Sequence, residues 1–111
     1  MVGRRIVTLL ERVVVSRKTP ADGRLMISAD SAARLAALGG LSVEHEGERA
    51  DARLHEMTCT CTKEGAHEGR GAHVHHFVES PLLRTLGPGS EITLELDEGS
   101  ATLRVLLRDQ R

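Results

Sequence analysis

Both cysteines and four of the six histidines of this chain fall in the single stretch 59–76, as Cys59-Thr60-Cys61, then His67, then His73-Val74-His75-His76. Thiolate and imidazole are the side chains that hold borderline-soft metals, and structural zinc sites are usually tetrahedral sets of the two. Side chains two apart on a strand share a face. On strands, Cys59 and Cys61 therefore project together, as do His73 and His75, while His76 faces the other way. If 50–61 and 73–79 pair as an antiparallel hairpin, these pairs meet at the mouth of the connecting loop. The result is a Cys2His2 site for one zinc ion per chain. His67 lies inside the loop and could replace either strand histidine. The expected ligands are thus Cys59, Cys61 and His75, then His73, then His67, with His76 last. The loop carries Gly65, Gly69 and Gly71, which favour mobility, and a metal at its base would pin it.

A second chemistry uses some of the same residues. His73-Val74-His75-His76-Phe77-Val78-Glu79, followed by Gly87, resembles the first motif of the cupin family, which has His-x-His, then Glu, then Gly. The resemblance implies a metalloenzyme whose open metal site is held by His73, His75 and Glu79. No histidine follows His76, so the family's second-motif ligand has no counterpart. Apart from that resemblance, a site in which only three of the cysteines and histidines bind would hold water in its open position, and Glu79 or Glu56 would serve as general base. A cysteine nucleophile fits poorly, because it needs a lowered thiol pKa near a helix N-terminus or a cation. Phosphate-cradling glycine motifs are absent, since the loop glycines lead into a strand and not a helix.

Composition narrows the partners. The 111 residues make one domain, 1–111, with 40% apolar residues and a modest core. There is one Phe and no Tyr or Trp, too few rings for a base-stacking surface. The net charge of −1 exerts no global pull on a polyanion. Locally, residues 1–24 are basic, through Arg4, Arg5, Arg12, Arg17, Lys18 and Arg24, and residues 44–68 are acidic. That polarity makes either two solvated faces or a basic edge for phosphate or an acidic partner. No apolar run approaches the length of a membrane span, and no signal peptide is legible. A Cys-x-Cys pair is not a secreted disulfide framework, so a cytoplasmic protein with reduced thiols is expected.

The elements that position these residues read mostly as β. Ile6–Val15 is apolar on both faces, as for a strand in the middle of a sheet. A turn is expected at Pro20–Gly23, a strand over 24–28, and a helix over 29–38 capped by Ser28 and stopped by Gly39-Gly40. Strands follow at 41–45 and 50–61, joined around Gly47, and at 73–79. Ser80-Pro81 opens a short helix ending at Gly87, and alternation over 91–97 and 102–108 marks a hairpin turning at Asp97–Ser100. His45 is expected to be exposed near the Gly47 turn. Leu-x-x-Leu-Gly occurs at 35–39 and again at 83–87, each time before a hairpin, which suggests an internal pseudo-two-fold duplication. The expected fold is therefore a mainly β, β-rich α+β domain. It is a closed or partly closed barrel of about six or seven strands with two short helices. In topology it resembles the double-psi and DNA-binding pseudobarrel folds. The function that follows is a zinc-binding, non-catalytic interaction module for a protein or nucleic-acid partner, with the cupin-like metalloenzyme as alternative.

Overall fold

The structure, a computed structural model, describes residues 7–59 and 73–107, with the backbone path alone for Cys59 and His73. Seven strands form one mixed sheet curved into a half-barrel. They are β1 (Val7–Val14), β2 (Arg24–Ile27), β3 (Leu41–His45), β4 (Glu48–Cys59), β5 (His73–Glu79), β6 (Glu91–Asp97) and β7 (Thr102–Leu107). The spatial order is β1-β6-β7-β3-β4-β5-β2. All neighbours are antiparallel except β3 and β7, which run parallel. Two helices complete the fold, α1 (Lys18–Asp22) and α2 (Ala29–Ala36), with a 3₁₀ turn over Pro81–Thr85.

Local chemistry accounts for the joints. Ser28 caps α2, its hydroxyl accepting from the Ser31 amide at 3.1 Å, as its residue type favours. Glu46 and Gly47 both take positive φ, 51° and 82°, which makes the tight two-residue turn between β3 and β4. The stretch expected to be a turn at 20–23 closes α1 instead, because Gly23 at φ 70° is a left-handed C-cap whose amide bonds Thr19. A side chain at Gly23 would also meet the Ser80 carbonyl at 3.1 Å.

The core lies on the concave side. Ile92, Leu94 and Leu96 of β6 face Leu107, Val105 and Leu103 of β7 across the ladder, and Val43 of β3 continues the layer opposite Leu103. Leu25, Ile27 and Val78 extend it into β2 and β5, under Ala32 and Leu35 of α2 and Leu82, Leu83 and Leu86. On the other side, charges pair across strands: Arg104 of β7 lies 3.2 Å from Glu44 of β3 and 3.6 Å from Glu95 of β6. This uses one acid of the acidic segment internally, while Glu48, Asp51 and Glu56 remain exposed.

Three expectations change. β1 is an edge strand that pairs only with β6 among the described strands. A bulge between Leu9 and Glu11 shifts its register, so alternation breaks and apolar residues fall on both faces; Leu9 and Val14 are 52% and 61% exposed. His45 is buried, at 5% exposure. Its Nδ1 lies 2.9 Å from the Val105 carbonyl, so the ring continues the bonding between β3 and β7 one residue past the last paired position at Glu44. Finally, the duplication is not borne out by the pairing, although the expected barrel is present in its partly closed form, as a half-barrel of seven strands. A two-fold axis would map the β3–β7 pair onto β6–β4, yet β6 pairs only with β1 and β7.

Leu94, fully buried on β6, should cost about 2–5 kcal/mol when replaced by Ala, whereas Leu9→Ala on the outer face should stay within about 0.5 kcal/mol. Urea denaturation of both variants checks the inside-outside assignment.

Candidate metal site on the β4–β5 ladder

The hairpin expected between the two halves of the Cys/His cluster is present. β4 and β5 pair antiparallel, with Cys59 opposite His73, Met57 opposite His75, His55 opposite Phe77 and Arg53 opposite Glu79. Directly opposed residues share a face, as do residues two apart on one strand. Cys59 and His73 therefore occupy one rung, and His75 lies one same-face step away, about 7 Å along β5. Three of the five expected ligands stand at neighbouring positions of this ladder. Cys61, His67 and the glycine loop lie outside the described residues. Among the described residues, no group of three or more His, Cys, Asp or Glu side chains gathers to hold a metal.

His76 takes the opposite face, as alternation requires. Its Nδ1 is 3.8 Å from the Glu56 carboxylate, and with Leu54 and Ala32 it lines a small groove beneath α2. Glu56 is thus on the side away from His75.

Glu79 is held by two guanidiniums. Arg53 Nε donates to its Oε1 at 2.7 Å, and Arg24 Nε donates to Oε2. The three side chains tie β4, β5 and β2 together, since Glu79 is directly opposite both arginines in the ladders. The bonds from Arg53 and then Arg24 hold the Glu79 carboxyl below its ordinary pKa, outweighing the opposing effect of burial. Glu79 lies four residues from His75, about 13 Å along the strand. The ion-paired cluster borders an open groove of about 520 Å³ that Gly23, Ser80 and Arg84 also line. Of the basic edge, Arg24 is therefore spent on Glu79, while Arg12, Arg17 and Lys18 are exposed. Arg4 and Arg5 lie outside the described residues.

Between the ion cluster and the Cys59–His73 rung, the outer face is apolar and sulfur-bearing. Phe77 sits between the rings of His55 and His75, at centroid distances of 6.4 and 6.5 Å. Met26 is opposite Phe77 on β2, and both Met26 and Met57 are exposed. Met57 alternates with His55 and Cys59 on β4 and stands directly opposite His75.

A scan against protein-family models and searches of curated proteins and of solved structures find no match to this chain. No helix among the described residues is long and apolar enough to cross a membrane.

Because the folded state holds Glu79 below its ordinary pKa, its ion pairs stabilise the fold above that ordinary value. The stabilisation is lost as pH falls through the lowered folded pKa. Glu79→Gln should therefore melt below the wild type at pH 7, with the gap narrowing progressively on acidification below about pH 4. A gap independent of pH between 7 and 2 would show that the carboxylate charge contributes nothing.

Proposed function

We propose that this chain is a small β domain that binds one zinc ion at the far end of the β4–β5 ladder and acts as a non-catalytic interaction module in the cytoplasm. The register of that ladder supports the reading most strongly. It sets Cys59 against His73 with His75 one step away, and in the sequence Cys61 follows Cys59 by two residues. The zinc set is Cys59, Cys61, His73 and His75, with His67 as the substitute from the loop.

The energetic case is direct. A two-stranded ribbon is marginal alone, and a domain of this size has little net stability to spare. Metal binding to a site formed only in the folded chain adds to folding free energy. Reduced thiols of this kind belong to a cytoplasmic setting. The partner is a protein or a nucleic acid. A near-neutral charge and one aromatic ring favour a protein, and any nucleic-acid contact would be weak and strongly salt-dependent.

The cupin-like enzyme reading draws less support. Its site needs Glu79 beside His73 and His75, and the Glu79 carboxylate is taken by Arg53 and Arg24.

Elemental analysis of untagged protein is the test. One zinc per chain is expected, and Cys59→Ser should lower both zinc content and melting temperature. Zinc content unchanged in Cys59→Ser would overturn the site. Iron or manganese in place of zinc would favour the open, oxygen-ligated site instead.

A further inference from the structure

One side chain on the outer face carries a chemistry that the proposed zinc set does not use. Met57 is 45% exposed, and Arg24 Nη1 donates to its thioether sulfur at 3.7 Å. A thioether is a weak acceptor, so this is a long bond to a poor partner. The donor is nevertheless held in place. Arg24 Nε donates to Glu79 Oε2, and Arg53 holds the same carboxylate from the other side. Arg24 therefore aims an anchored, charged N–H at the sulfur of an exposed side chain. Met26 offers the comparison. It lies on the same face, opposite Phe77, and is comparably exposed, at 48%, but no described donor bonds its sulfur.

We infer that Met57 is a reversible oxidation site whose sulfoxide is captured by Arg24, tightening the tie between β4 and β2. Hydrogen peroxide supplies the oxygen. The sulfur lone pair attacks the peroxide, the O–O bond breaks and an S–O bond forms. The proton of the transferred oxygen passes to the departing hydroxide, which leaves as water. The sulfur is thus oxidised by two electrons and the peroxide reduced by two. The sulfoxide oxygen is a strong acceptor where the sulfur was a weak one, so the bond from Arg24 becomes charge-assisted. It joins β4 to β2 across β5, which lies between them in the sheet. Because Met57 is exposed, gaining an oxygen costs it little packing, whereas the same change in a core would be disruptive. Methionine sulfoxide reductases return the thioether, so the link is reversible. Similar exposure gives both methionines similar access to peroxide, and they differ in what the new oxygen meets: at Met26 it finds no such donor. None of this depends on a bound metal.

Full-length wild type, Met26→Leu and Met57→Leu are treated with hydrogen peroxide, then with dithiothreitol to return reversibly oxidised thiols. Peptide mapping scores the oxygen at each methionine, and each protein is compared with its own untreated form. Met26→Leu, oxidised at Met57, should melt higher by about 2 °C or more. Met57→Leu, oxidised at Met26, should show no rise, and it controls for damage elsewhere in the chain. Methionine sulfoxide reductase should cancel the rise. In NMR of nitrogen-labelled protein, the Arg24 guanidinium signal should shift when Met57 is oxidised, while that of Arg84 stays in place. A melting temperature left unchanged or lowered by the Met57 sulfoxide overturns the inference, as does an unmoved Arg24 signal. So does a Met57 that resists peroxide while Met26 is oxidised.

Discussion

The structure turns on a change of partner along β4. Its first five residues, Glu48–Ala52, pair with β3, and its last seven, Arg53–Cys59, pair with β5 on the other side. The two ladders abut without overlapping. One strand therefore belongs to the body of the sheet at one end and, past the reach of β2, to a ribbon of two strands over its last three rungs, Met57–Cys59. The core follows the body: Ala50, Ala52 and Leu54 pack against it. Past Leu54 the same face turns to Glu56 and Thr58, which are exposed, opposite an exposed Val74. Hydrophobic burial, the main stabiliser of the fold, thus fades toward the end where the cysteines and histidines lie.

What holds the ribbon to the body is electrostatic as well as apolar. Glu79 lies at the rung where β4, β5 and β2 meet and accepts from an arginine on each side. The Glu79 side chain is 13% exposed but that of Arg53 is 79% exposed, so solvent screens the outer pair, and the strength of the cluster lies in one carboxylate accepting charge-assisted bonds from two guanidiniums. On the next layer inward, Val78 is fully buried opposite Leu25 and Leu54. Charge outside and packing inside fix one end of the ribbon, leaving the chemistry of the far end to its own side chains.

Much of this was legible in the residues. The strands at 41–45 and 73–79 match expectation at both ends, and the capping of α2 by Ser28 follows from residue type alone. The failures share a cause. The apolar faces of β1 suggest a central strand because a bulge, invisible in the pattern, shifts the alternation partway along. His45 suggests an exposed turn residue because nothing local announces that the Val105 carbonyl lies ready to accept its ring. Repeated Leu-x-x-Leu-Gly punctuation suggests duplication, but punctuation repeats without the strand pairing that a true two-fold would require. Alternation alone puts Met57 on the face of His55 and Cys59, and only the register sets it opposite His75.

The sequence by itself determined the class of the fold, the positions of nearly every strand and turn, and the concentration of sulfur and imidazole in one region. Those follow from short-range rules: alternation, capping, left-handed glycine and ligand type. Tertiary structure alone decided which strands became edges, which side chain answers Glu79, and which residue stands opposite each candidate ligand. Register joins residues far apart in sequence, and it is set by the burial of Leu54, Val78 and Leu25 together, a condition that no local stretch contains.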